Sequence, residues 1–165
     1  MIGKLLELMN IVGIKPEEIS DSLIRADEDN ANNFNSNFDK RLRLQKMVYL
    51  IQHKTGDFEY PFSLYLKGPY SSELAREYYR ITEGSYSGTE PQLGIESREM
   101  AKTLLEKDNM WLEVASTIIM FLESYEQKDA ISRAKEFKHD VLVASGQNES
   151  YVDRVFEEIK SIELI

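Results

Sequence analysis

Residues 60–79 read YPFSLYLKGPYSSELAREYY, and two periodicities meet in them. Phe58, Tyr60, Phe62, Leu64 and Leu66 alternate with Glu59, Pro61, Ser63, Tyr65 and Lys67, the period of two that marks a half-buried strand. Pro61 has no N–H to give a ladder, so the regular strand is predicted over Phe62–Lys67, with Phe62, Leu64 and Leu66 on the packed side. Gly68-Pro69 breaks it. Ser71 or Ser72 then caps a helix with Glu73 in its first turn, and Leu74, Ala75, Tyr78 and Ile81 form its buried side. A lone strand leaves its backbone groups unpaired, and the nearest candidate partner is Gln92–Ile95.

Outward from this corner the pattern is helical. Ile2, Leu5, Leu6, Met9 and Val12 recur at helical spacing up to Gly13. Pro16, followed by Glu17 and Glu18, suits the first turn of a second helix whose apolar side is Ile19, Leu23 and Ile24. Ala26–Asn37 reads ADEDNANNFNSN, rich in residues that compete locally with helix and strand, and is predicted to be a linker. It divides an N-terminal helical segment, 1–37, from a main helical domain, 38–165. Asp39 can cap the next helix, which runs to about Lys54 with Leu44, Met47, Val48 and Ile51 inward.

Glu83–Glu96 is predicted as a loop. A helix then begins at Ser97, with Met100, Leu104 and Leu105 inward. Trp111, Val114, Ala115, Ile118 and Leu122, widened by Leu112, Ile119 and Phe121, make a helix apolar on more than one face and therefore central. Helices near Lys128–Lys138 and Ser150–Ile162 follow, and the stretch between them is ambiguous. The fold class is mainly α: a compact helical domain of about six to seven helices with one small β element.

The net charge is −9 over 165 residues, and 42% are hydrophobic, enough for a core. Such a chain repels nucleic acid and anionic membranes as a whole. The absence of cysteine excludes disulfides, thiolate metal sites and a thiol nucleophile, and fits a cytoplasmic protein. Lys4 precedes only a short apolar stretch that Glu7 interrupts, so no leader peptide is expected. No run reaches the roughly 18 apolar residues of a membrane helix. Charge is uneven: Lys40–Arg80 carries eight basic and four acidic residues, +4, which leaves −13 for the remainder. These cations either pair with acidic neighbours or form a patch for an acidic partner or a phosphate backbone.

Motifs for chemistry are missing. His53 and His139 each stand alone. Gly84, Gly88 and Gly94 are too far apart for a phosphate-binding loop, and Ser145-Gly146 lacks the frame of a nucleophile elbow. DEDNAN at Asp27–Asn32 lacks the central Gly and terminal Glu of a calcium loop. Most of the abundant carboxylates fall on expected helix exteriors, and abundance alone does not define an acid/base pair. No catalytic residue, cofactor or metal is expected. Tyr65, Lys67, Tyr70, Arg76 and Arg80 remain outward at the corner, and Tyr with Arg is the chemistry of interface hot spots. These five are the candidate partner-binding residues; a purely structural corner would read the same.

LQKMVYLIQ at Leu44–Gln52 followed by FSLYLKGPYSSELAREYY at Phe62–Tyr79 resembles the YwgA-like proteins of bacteria and archaea, similar in turn to the Panacea (GepA/SocA-type) domains. The resemblance rests on Leu44-Gln45-Lys46 with Val48-Tyr49-Leu50 and on Leu64-Tyr65-x-x-Gly68-Pro69-Tyr70-Ser71-x-Glu73-Leu74. It is looser through the Trp111 helix and the last two helices, and the first 37 residues lie outside it. Panacea-type domains are implicated as antitoxins, one of them as an adaptor delivering a toxin to a protease. The resemblance thus implies a non-enzymatic, protein-binding role. Tyr70-Ser71 stands where Val is common after the Panacea Gly-Pro, which places this chain nearer the YwgA-like side.

Three functions are weighed in this order: a protein-interaction or adaptor module, such as an antitoxin-like regulator; a winged-helix-like DNA-binding regulator with a wing at Glu83–Glu96; and an enzyme built from Tyr, Arg and carboxylates. A protein partner is expected, nucleic acid is disfavoured by charge, and the oligomeric state, including a homodimer, is left open.

Overall fold

The computed structural model describes residues 1–19, 28–86 and 92–165, with the backbone alone for 28–36. Eight α-helices and one β-hairpin occur among the described residues: α1 Ile2–Val12, α2 Glu28–Thr55, β1 Ser63–Tyr65, β2 Gly68–Tyr70, α3 Ser72–Thr82, α4 Ile95–Leu105, α5 Asn109–Leu122, α6 Gln127–Phe137, α7 His139–Ala144 and α8 Ser150–Ser161. The mainly α class with one small β element is the architecture found.

α5 is the central helix. Asp108 caps it by accepting a hydrogen bond from the Trp111 N–H at 2.8 Å, and every residue from Trp111 to Ile119 is buried. α2, α6, α8 and β2 pack around it. α1 lies on α4 and α3, and its Leu5, Leu8 and Met9 belong to the same hydrophobic cluster as Leu44, Met47 and Ile51 of α2. Gly13 ends α1 in the left-handed region, φ 71°, where the missing Cβ removes the steric penalty.

Several expectations are corrected. α2 starts at Glu28, so residues 28–37 of the expected linker are helical, and the helix passes uninterrupted through residues 37 and 38. A long run of Asn and Asp lowers helix propensity by only a few tenths of a kcal/mol per residue, and the strong helix downstream carries it. The helix expected from Pro16 is a single 3-10 turn, Pro16–Glu18, closed by the Glu18 carboxylate on the Lys15 N–H at 2.8 Å. Leu23, Ile24 and Ala26 lie outside the described residues, as do Asp27 of the calcium-like sequence and residues 87–91 of the Glu83–Glu96 loop.

The β element differs too. The partner of β1 is not Gln92–Ile95, where Ile95 already opens α4. It is Gly68–Tyr70, paired antiparallel in the register Ser63↔Tyr70, Leu64↔Pro69, Tyr65↔Gly68. Gly68-Pro69 is therefore the second strand and not a break, and the strand expected over Phe62–Lys67 is only Ser63–Tyr65, with Leu66 and Lys67 forming the turn between the two arms. Pro69 is tolerated because a two-stranded ribbon has only edges. β2 is the strand seated on α5 and α2, so Leu64 and Leu66 of the outer arm face solvent, 42% and 92% exposed. Phe62 alone of that set packs inward, edge-on to Tyr49 at 5.1 Å.

Two glutamines of α2 hold this segment. The Gln45 amide donates to the Ser71 carbonyl and accepts from the Ser71 N–H, both at 2.9 Å. One heptad later the Gln52 amide does the same to the carbonyl and N–H of Tyr60, again at 2.9 Å. Each amide supplies the donor and acceptor of a missing strand neighbour. Gln45 is 2% exposed, so Gln45→Met would leave both Ser71 groups unsatisfied and is expected to lower stability by about 2–4 kcal/mol. Gln52→Met, where water reaches the freed groups, is expected to cost less. Urea unfolding of the two variants checks the order; a Gln45→Met midpoint equal to wild type would show that the clamp contributes nothing.

Candidate functional site

The expected contact residues fall into two places. Tyr65, Lys67 and Tyr70 share the hairpin: Tyr65 is 61% exposed, and its ring lies 5.2 Å from that of half-buried Tyr70. Arg76 and Arg80 lie on exposed positions of α3 and line a cleft of about 220 Å³ with Met1, Tyr60, Glu73 and Glu77. In that cleft the buried Tyr60 hydroxyl donates to the Glu77 carboxylate, and burial together with Glu77 pushes the phenol well above its ordinary range.

Most cations of the basic segment turn inward. Lys40 pairs with Glu18 at 3.2 Å, and Arg41 donates to the Ile19 carbonyl at 3.0 Å. Arg43 reaches the C-terminal end of α4, donating to the carbonyls of Leu105 at 2.9 Å and Lys107 at 2.7 Å, a favourable place for a cation. Lys54 faces Glu96 at 3.9 Å.

Lys46 goes deepest. It is 2% exposed and donates to the Pro69 carbonyl at 2.6 Å, tying β2 to α2. Gly68 beside it has φ 93°. A Cβ there would meet Thr117 Oγ1 at 2.5 Å and Lys46 Nζ at 3.5 Å, so only glycine lets the hairpin sit this close to α5. Thr117 is itself fixed, donating to the Glu113 carbonyl at 2.7 Å.

Around this contact lies a cluster that sequence reasoning missed. Glu113 of α5 is 4% exposed and Lys138, between α6 and α7, is 2% exposed. Lys67 Nζ at the hairpin tip stands 3.7 Å from Glu113 Oε1, and Lys138 Nζ stands 4.0 Å from Oε2. Both separations exceed hydrogen-bonding distance, and Glu113 Oε1 is buried with no hydrogen-bond partner. Lys46, Lys67 and Lys138 thus share the field of one carboxylate. Burial, then repulsion from Lys138, pulls Lys46 down to about 7, against the attraction of Glu113. Burial also lowers Lys138, with Glu113 opposing and Lys67 assisting.

The cluster opens to a pocket of about 290 Å³ lined by Leu66, Lys67, Glu113, Phe137, Lys138, Asp140 and Val141. It combines an apolar wall with convergent charged groups, the usual make-up of a ligand site. A signal for it exists in the sequence. Glu113 is the one charged residue in the apolar run 110–122, and Lys46 interrupts the inward stripe between Leu44 and Met47. A charge inside an apolar helix face is costly unless it is partnered. His53 and His139 sit on exposed positions of α2 and α7 and take no part in the cluster.

Compared with protein-family models, curated proteins and solved structures, the chain matches none.

The Lys46 shift has a definite consequence for stability. The unfolded chain holds this proton to about 10.5, the folded one only to about 7. Between those values the unfolded state binds the extra proton, so raising the pH favours folding. The stability of wild type relative to Lys46→Met is expected to be flat below pH 7 and to rise between pH 7 and 10, by at most about 1.4 kcal/mol per unit. Denaturant unfolding of both proteins across that range checks it; a flat or falling difference would mean that Lys46 keeps its proton in the fold.

Proposed function

We propose that the chain is a non-enzymatic protein-interaction module, an adaptor or antitoxin-like regulator, that docks through its hairpin tip. One observation carries this reading: Leu64, Tyr65 and Leu66 are consecutive apolar residues, 42%, 61% and 92% exposed, on a backbone held to the core by Gln45, Lys46 and Gln52. A pre-ordered apolar projection loses little conformational entropy on binding, and Tyr with Leu supplies the contact area. Lys67 beside it favours a partner whose apolar groove has an acidic rim. The motif resemblance to YwgA-like and Panacea-type domains supports the same role.

A DNA-binding role draws less support. Binding phosphates takes a surface array of Lys and Arg, whereas Lys40, Arg41, Arg43, Lys46 and Lys54 engage acidic or carbonyl groups of the chain itself.

A combined Tyr65→Ser and Leu66→Ser variant tests the proposal. These side chains contribute little to the core, so the melting temperature is expected to stay within a few degrees of wild type. Co-purification from the native cell is expected to recover a partner in equal stoichiometry. The purified pair should re-form with wild type and with Arg76→Ala/Arg80→Ala, and bind the tip variant at least about 100-fold more weakly. Undiminished binding by the tip variant would overturn this reading. If wild type self-associates and the tip variant is monomeric, the partner is a second copy of the chain. Random duplex DNA at low salt should not bind.

A further inference from the structure

The pocket beside the hairpin tip has a chemistry that protein docking does not require. Lys46, Lys67 and Lys138 place three ammonium groups around Glu113, with Asp140 on the pocket wall. With every lysine protonated, that is three positive charges against two negative ones, and Lys46 and Lys138 are almost wholly buried. Buried charge without full compensation is strongly disfavoured. Lys46, held down to about 7, relieves the excess by shedding its proton; one further negative charge would balance the fully protonated set instead.

The hydrogen bonding narrows what carries that charge. Lys67 Nζ and Lys138 Nζ stand 3.7 Å and 4.0 Å from the two Glu113 oxygens, so one oxygen lying off the first line can sit at hydrogen-bonding distance from both Lys67 and Oε1, and a second can accept from Lys138. Such an atom accepts from an ammonium, and beside Oε1 it must also donate, because that carboxylate oxygen is buried and unpartnered. A simple carboxylate accepts only. A monoprotonated phosphate does both, through its unprotonated oxygens and its P–OH. Leu66, Phe137 and Val141 provide an apolar wall for an organic substituent. The volume of about 290 Å³ sits at the lower edge of the roughly 300–1,000 Å³ of small-molecule sites.

We propose that this pocket binds a small organic phosphate monoester as its monoanion, the phosphate oxygens accepting from Lys67 and Lys138 and the P–OH donating to Glu113. The site goes beyond the docking tip, which would be apolar with or without it. The second phosphate pKa is near 6, so a monoester that is mostly dianionic in neutral solution takes up a proton on entering. Lys46, held down to about 7, adds to that uptake when the new anion arrives.

Calorimetry on the full chain at pH 7 with phenyl phosphate as probe tests the site. Saturable one-to-one binding is expected, with net proton uptake seen as a dependence of the heat on buffer ionisation enthalpy. Lys138→Met and the surface variant Lys67→Met are each expected to weaken binding about tenfold or more. Methyl phenyl phosphate has the same single charge without the P–OH, benzoate has a carboxylate in its place, and both should bind at least about tenfold more weakly. Absence of saturable binding, proton release, equal binding of either comparison ligand, or unchanged affinity in Lys67→Met would each overturn the proposal. Lys67 is half exposed, so its variant keeps the test decisive even if Lys138→Met fails to fold.

Discussion

Two side-chain amides, Gln45 and Gln52, fix the geometry on which the candidate sites depend. They lie seven residues apart, two turns of α2, and so project from one face. Each presents a donor and an acceptor to the backbone of a single residue, Ser71 and Tyr60. Between those residues runs the hairpin, whose strands are three residues each. An isolated two-stranded hairpin is marginal in water at best. Pinned at both ends, and in its second strand by Lys46, it becomes a rigid projection. The clamp also orders α3 and its cleft. Ser71, held by Gln45, accepts from the Leu74 N–H at 3.2 Å and caps α3, while Tyr60, held by Gln52, directs its hydroxyl at Glu77.

The electrostatics run against the usual division of charge outside and carbon inside. The molecule is acidic overall, yet its basic residues between Lys40 and Lys54 lean into the fold. Arg43 at the end of α4 and Arg41 on the Ile19 carbonyl act as backbone caps with charged donors, which are stronger than neutral ones. Lys46 exploits the same strength for Pro69. The exception is the Glu113 cluster, where the cations outnumber the buried carboxylate and keep it at arm's length. A structural ion pair gains most from direct, fully hydrogen-bonded contact. Separations of 3.7 and 4.0 Å are poor for mutual stabilisation and well suited to holding a third group.

The sequence made the helices legible wherever the apolar stripe was long. α3 has the core that its spacing predicts, α1 shares only Leu5 and Met9 with its predicted stripe and buries Leu8 besides, and Trp111–Ile119 announced its central place by being apolar on several faces. Less was legible where two physical effects competed. At 28–37, polar local preferences pointed to a loop, but extension of an already nucleated helix prevailed. At 58–67, the alternation located a strand but ran past its end, since only Ser63–Tyr65 is strand and Leu66–Lys67 turn; nor could it say which face is buried, because a hairpin hands that choice to the strand touching the core. Of the sites, Tyr65 was visible as an outward residue of a strand, and Lys67 as an outward residue that the fold places in the turn. Glu113 and Lys138 were not, since a lone Glu in an apolar run becomes meaningful only once α5 packs against β2 and the α6–α7 junction brings a lysine to it.

Folding imposes clear demands on residues 60–71, and those demands stop short of the tip. Gly68 must lack a side chain to seat against Thr117; Pro69 and Ser71 must offer their backbone groups to Lys46 and Gln45. Leu64, Tyr65 and Leu66 meet no comparable requirement. With their side chains largely in water, polar residues of good strand propensity would serve the hairpin as well or better. An exposed apolar edge also carries a standing risk of association. Leu66 at 92% exposure gains almost nothing from burial within the chain, so its apolar character is not explained by stability. What the fold leaves unexplained at the tip is the kind of surface that a partner would bury.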